Sequence, residues 1–200
     1  MRRRHGLSTA AALALPALGA AAMSGALLAG CGNSGPEGAA STAKATTAAR
    51  QAAGPGLPEC LPNCAKANLG SADLRSAGLQ GANFAGANLS YANLSYAKLT
   101  AADLTGADLT GAYLGRANLI RANLTDARLT GADLTRADLI DANLTGADLA
   151  NADLRLANLT NANLTRANLT GARIPGAYFQ NTIWSSTTCP NGTVADNCLR

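Results

Sequence analysis

The sequence predicts a solenoid, a backbone wound into coils that turn a corner once every five residues. Three observations carry that expectation. From Ala67 to Asn181 the chain repeats every five residues through 23 units, with no insertion or deletion. Ala leads every unit, Leu stands third in 20 of them, and Asn or Asp stands second in 17. Composition agrees, because 48% of residues are hydrophobic but only 4% are aromatic, so the interior must be filled by small and aliphatic side chains. A period of five matches neither the 3.6 of a helix nor the 2 of a strand. A helix would smear the leucines around its surface, and a flat strand would put them alternately on both faces. A cornered coil keeps Ala and Leu inside and sends the other three side chains to solvent. Asn, Asp and Gly suit such corners, because they bond locally to backbone or tolerate unusual dihedrals.

Elements before the repeat read in order. Arg2, Arg3 and Arg4 precede an apolar run that ends at Cys31 in a small-residue context. That order of basic, apolar and small residues is a secretory signal over 1–30. Leu28-Ala29-Gly30-Cys31 resembles a bacterial lipobox, which implies lipidation of Cys31 and cleavage just before it. Arg3-Arg4 leaves general and twin-arginine export both open. Cleavage takes three of the 16 Lys and Arg residues, leaving 13 against 12 acids, so the charge falls from +4 to about +1. It also removes His5, the sole histidine, and with it any His-based triad, His general base or His-ligated metal. Residues 31–58 are small and polar with no apolar periodicity, and read as a flexible tether.

The units, ANLGS ADLRS AGLQG ANFAG ANLSY and onward to ARIPG AYFQN, resemble the pentapeptide-repeat family, whose pattern is A(D/N)LXX. The resemblance covers Ala67 to Asn181. It implies an all-β fold, a right-handed quadrilateral β-helix with four units, or 20 residues, per coil. On that basis 23 units make about 5.75 coils and, at roughly 4.8 Å per coil, a rod about 28 Å long over 67–184. Ladders such as Leu69, Leu89, Leu109, Leu129, Leu149 and Leu169 then stack inside, with Ala87, Ala107, Ala127, Ala147 and Ala167 in the narrower places. Each coil is covered by its neighbours, so stability is cooperative.

Solenoid ends need protection from edge pairing. Residues 59–66 hold two cysteines beside Pro62 and read as an N-terminal cap, with Cys64 in the inward register. Trp184, five residues after Phe179, takes that register at the other end. After removal of Cys31 the even set Cys60, Cys64, Cys189 and Cys198 suits an oxidising compartment. Local pairing, Cys60 with Cys64 and Cys189 with Cys198, is expected, because crossed pairs would join opposite ends of the rod. The same geometry disfavours a four-cysteine metal site. Residues 185–200 then form a disulfide-closed tail.

Surface chemistry points away from catalysis. No metal or cofactor is expected, and no catalytic group converges, since the aspartates follow the second repeat position. Between residues 66 and 184 nine acids face ten bases. Some family members mimic duplex DNA and bind topoisomerase, which asks for a strongly negative rod. A nucleic-acid binder would ask for a dense basic stripe, but Arg116, Arg136 and Arg155 share a side with Asp133 and Asp153, and that charge reads as mutually compensated. Threonine files at Thr105, Thr125, Thr145 and Thr165, and at Thr110, Thr130 and Thr170, resemble ice-binding arrays but read as structural. Asn191-Gly192-Thr193 reads as a turn, and Asp196, Asn191 and Asn197 lack the spacing of a calcium loop. Candidate interaction residues are the outward Ile120 and Ile140, with Tyr91, Tyr96 and Tyr113. The expectation is a non-enzymatic lipoprotein at the extracytoplasmic face of the cell membrane. It would be anchored through Cys31 and serve as an envelope scaffold or interaction module toward an envelope protein or a second copy. A topoisomerase-binding DNA mimic and an enzyme with a site in the tail are the alternatives.

Overall fold

The computed structural model of the chain describes residues 58–198. Residue n pairs with residue n+20 through parallel bridges, in an unbroken series from Asn63↔Asn83 to Asn168↔Thr188. Each 20-residue coil therefore has four five-residue sides. The first side holds the units that start at Ala67, Ala87 and so on. The second side starts at Ala72, the third at Ala77 and the fourth at Ala82.

Backbone donors explain the repeat unit. The first residue's N–H closes the preceding corner on the third residue's carbonyl, as in Ala92 to Leu89 at 3.0 Å. The second donates to the preceding coil (Asn88 to the Ala67 carbonyl, 2.9 Å), and the third and fifth donate to the following one (Leu89 to Asp108, 2.7 Å; Tyr91 to Thr110, 2.9 Å). Only the fourth N–H lacks a backbone partner, and a backbone donor left unpaired in a packed surface is costly. The second side chain supplies the missing acceptor. In every one of the 17 units with Asn or Asp second, and also at Asn63, its Oδ1 accepts the N–H two residues on, for example Ala85 to Asn83 at 2.9 Å and Thr135 to Asp133 at 2.9 Å. The second-position Asn and Asp residues thus flank the corners, which other residues of the same types occupy at Asp126, Asp141, Asn151, Asn161 and Asn181. The corner itself is the fifth residue, which is left-handed in every unit, with φ from 53° to 74° between Lys66 and Ser186. A four-residue turn with positive φ at its third residue is of the type II kind.

Through mid-rod the Ala and Leu positions are at most 1% exposed. The second and fourth positions are half-buried there, except for the exposed Lys98, Tyr113 and Arg128, and the fifth is exposed at nearly every corner. Outward side chains are therefore less accessible than a simple in-or-out reading of the repeat allows. Their burial comes from stacking against the same position one coil away.

The ends depart from the rule for physical reasons. In the last coil the second position becomes Arg173, Tyr178, Ile183 and Thr188, none of which caps. Two of the matching fourth positions are Pro175 and Pro190, which have no N–H to satisfy. Thr182 and Thr187 replace the leading Ala, and their hydroxyls donate to the Leu159 and Leu164 carbonyls at 2.8 and 2.7 Å. Such pairing is what a buried hydroxyl requires. Trp184, 6% exposed, packs on Phe179 with ring centroids 4.9 Å apart. The coil register runs past Trp184 to Thr188, so the tail starts inside the last coil. There β1 (Thr187–Thr188) pairs antiparallel with β2 (Val194–Ala195). Cys60 is bonded to Cys64 and Cys189 to Cys198, and Cys64 and Cys189 point inward at 1% and 3% exposure.

Candidate functional site

Left-handed φ favours Gly, Asn and Asp, and other residues are disfavoured there by roughly 1–2 kcal/mol each. Three corner files follow that preference at most of their positions, with Tyr91, Ala101, Arg121 and Arg166 among the departures. Gly86, Gly106 and Gly146 recur on the fourth side's corner, Gly111, Gly131 and Gly171 on the first, and Asp141, Asn161 and Asn181 on the third. On the second side's corner Tyr96, Arg116, Arg136 and Leu156 follow one another at φ of 60°, 57°, 58° and 59°. No other corner file carries two large side chains other than Asp or Asn in succession.

The arrangement of these side chains differs too. Where a glycine follows in the next coil, the corner side chain can fold over it; a Cβ on Gly111 would come within 2.6 Å of the Tyr91 ring, and one on Gly176 within 2.7 Å of Leu156 in this file. Tyr96 and Arg116 have no glycine beyond them, so they stack on each other, with the guanidinium carbon of Arg116 5.5 Å from the Tyr96 ring centroid. That separation lies within the range of cation–π attraction.

Beside this file run the fourth-position residues Ser95, Gly115, Thr135, Arg155 and Pro175, and between the two rows lies a groove of about 510 Å³. Gly115 is the second residue of the fourth-position row and Thr135 its middle one. The Gly115 backbone is not left-handed, and a Cβ there would approach nothing closer than 3.6 Å. Neither the turn nor packing demands glycine at that point, and its effect is to leave the groove open.

The charges are not all compensated. Arg155 is held by Asp153 through Nε at 2.8 Å and Nη2 at 2.7 Å, and Arg173 Nη1 stands 3.5 Å from the same carboxylate. The hydrogen bond from Arg155 keeps the Asp153 carboxyl below its ordinary range; burial opposes this, and the Arg155 backbone N–H and both guanidinium charges add to it. The remaining ion pair among the described residues joins Arg128 and Asp108 at 3.9 Å. Arg116 and Arg136 are in none. The expectation of mutual compensation on this side therefore holds for Arg155, whose charged form Asp133 also favours, whereas Arg116 and Arg136 make no ion pair; Asp133 Oδ1 accepts the N–H and hydroxyl of Thr135.

The residues proposed from sequence do not gather into one patch. Ile120 and Ile140 are half-buried on the third side. Tyr91, 60% exposed, sits on the first corner, Tyr113 in the second position of the second side, and Tyr96 alone lines the groove. Arg116, Arg136, Leu156 and Pro175 were not recognised as groove residues from sequence. The usable signal was the lack of Gly, Asn and Asp at every fourth unit's fifth position from Tyr96 to Leu156. Threonine hydroxyls on the fourth side are used internally: Asn143 Nδ2 donates to Thr125 Oγ1, which donates to Asn123, whose Nδ2 donates to Thr105 Oγ1, which donates to Asp103. Asp196 accepts the Ser186 N–H, and Asn191 accepts the N–H and hydroxyl of Thr193, closing a turn. Among the described residues no group of three His, Cys, Asp or Glu side chains is placed to hold a metal, and no helix is long and apolar enough to cross a membrane. Cys31, the signal segment and the tether lie outside the described residues, apart from Pro58.

Comparison with known proteins follows the same geometry. The family model for pentapeptide repeats matches residues 67–106, 102–139 and 137–174, more than half of the chain. Comparison with curated proteins gives no match. Among solved structures, HetL, a pentapeptide repeat protein involved in heterocyst differentiation regulation from Nostoc sp. strain PCC 7120, is 37% identical over 66% of this chain and 64% of its own, with TM-score 0.46. Rfr23 from the cyanobacterium Cyanothece 51142 is 29% identical over 62% of this chain and 91% of its own, with TM-score 0.51. A pentapeptide repeat protein of the Arabidopsis thaliana thylakoid lumen is 30% identical over 62% and 72%, with TM-score 0.43. This chain thus spans less than two thirds of the length of HetL. With its five-residue units, its 20-residue register and the family match over residues 67–174, the chain belongs to the pentapeptide repeat family.

Proposed function

We propose that this protein is a non-enzymatic interaction module, a right-handed β-helix of about 5.75 coils borne on a lipid anchor at the extracytoplasmic membrane face. Residues 1–30 act as the export signal, Cys31 carries the lipid, and residues 32–58 act as the tether. The observation that carries the interaction reading is the second corner. Four successive large side chains stand there in a conformation that favours Gly, flanking a groove that Gly115 leaves open. Unfavourable backbone states that persist together support a role beyond folding.

Two experiments test the two halves of the proposal. Radiolabelled fatty acid should enter the wild-type chain and not Cys31→Ser; equal labelling of both, or of neither, contradicts the anchor. Capture from solubilised membranes should yield partners with wild type that are lost with Arg116→Gln/Arg136→Gln. An unchanged partner set removes the corner from the account, and loss with Ile120→Glu/Ile140→Glu alone would place the contact on the third side instead.

A further inference from the structure

We propose that the second-corner groove binds an extended acidic peptide segment of a partner protein, with the pattern apolar–any–acidic–any–apolar. This rests on reading the rod as an interaction module and names what that module takes.

The file along the groove is apolar, cationic, cationic, apolar: Tyr96, Arg116, Arg136 and Leu156. Three coil steps separate its ends, about 14 Å at roughly 4.8 Å per coil. Five residues of extended peptide span four steps of roughly 3.4 Å, about 14 Å as well. In an extended chain residues one, three and five share a face. With one and five over Tyr96 and Leu156, residue three arrives about 7 Å along, midway between the planes of Arg116 and Arg136.

Chemistry at that midpoint suits a carboxylate. Arg116 and Arg136 are the groove's two guanidiniums without an acidic partner, whereas Arg155 is already held by Asp153. Two guanidinium forks on one side of a carboxylate give charge-assisted hydrogen bonds with defined direction. Bringing an acid between them also relieves the repulsion of two like charges one coil apart. Gly115 and Thr135 flank this point; the missing side chain at Gly115 lets a main chain come close, and the Asp133 carboxylate lies nearest, 3.6 Å from where a Cβ would stand, so both guanidiniums together have to hold the incoming acid against it.

The test uses the full-length protein in detergent and a fluorescent peptide of sequence leucine–serine–glutamate–serine–leucine, blocked at both ends. Binding should weaken at least tenfold when glutamine replaces the central glutamate, and equally with Arg116→Gln/Arg136→Gln. Gly115→Thr, which restores a side chain common at that repeat position, should remove binding while leaving the melting temperature unchanged. Arg121→Gln/Arg166→Gln, altering exposed arginines at other corners, should bind as wild type does. Retained binding of the glutamine peptide, or equal loss with Arg121→Gln/Arg166→Gln, overturns the proposal. Capture of phosphatidylglycerol vesicles through Arg116 and Arg136, with no peptide bound, would assign the groove to lipid headgroups and overturn it too. If the peptide fails while membrane partners are still lost with Arg116→Gln/Arg136→Gln, the ligand class falls and the interaction module stands.

Discussion

Two corners of the same coil, two sides apart, are built from opposite materials. On the fourth side the corner file reads Gly86, Gly106, Asp126, Gly146 and Arg166; on the second it reads Tyr96, Arg116, Arg136 and Leu156. Backbone, turn hydrogen bonds and φ are nearly the same in both. Gly at every corner would satisfy the fold, so the second corner's side chains need a different explanation from the leucines beneath them. The fourth side meanwhile shows what structure alone asks of a surface, a file of Asn and Thr residues whose polar groups bond to one another. Fold requirements and displayed chemistry occupy different positions of the same five-residue unit.

The comparison breaks most sharply in the interior. Leu124→Ala, at a position 1% exposed, should cost about 2–5 kcal/mol through lost transfer energy and the cavity left behind. Denaturant unfolding reads it directly. Ala122→Leu should cost about 1–3 kcal/mol, because the close-packed corner has no room for the added methylenes. On the fourth side Asn123→Ala removes the acceptor of the Thr125 N–H and hydroxyl and the donor to Thr105. A loss of about 1–2 kcal/mol is expected, since these bonds are half-exposed.

A smaller effect belongs to the second side and depends on pH. Arg155 holds the Asp153 carboxyl below its ordinary value. Its contribution is therefore complete above about pH 4, the range where an unfolded aspartate ionises, and is lost as pH falls through the lower folded value. Melting temperatures of wild type and Asp153→Asn should differ at pH 7 and converge toward pH 2. A difference that grows on acidification would reverse the assignment.

Much of the rod was readable because its rule is local. Ala and Leu at fixed spacing foretell the buried ladders, and Cys64 and Trp184 fall in the same inward register. Local bonding of Asn and Asp to the backbone was legible too, but not which N–H they accept, since only the donor accounting of a stacked coil leaves the fourth N–H for the second side chain. The groove was harder to see, because its residues are 20 apart and their meaning depends on which position is left-handed. Ile120 and Ile140 do fall one coil apart on the third side, as their spacing of 20 implies, whereas Tyr91 stands on the first corner and Tyr96 and Tyr113 on the second side, so the tyrosines and isoleucines do not form one surface.

The central claim is that Arg116 and Arg136 serve recognition and not folding. Equilibrium denaturant unfolding of Arg116→Gly/Arg136→Gly tests it most directly, because glycine keeps the left-handed corner and removes only what projects from it. An unfolding midpoint equal to or above that of wild type is predicted. A loss of more than about 1 kcal/mol would mean that these side chains hold the rod together, and would contradict the account.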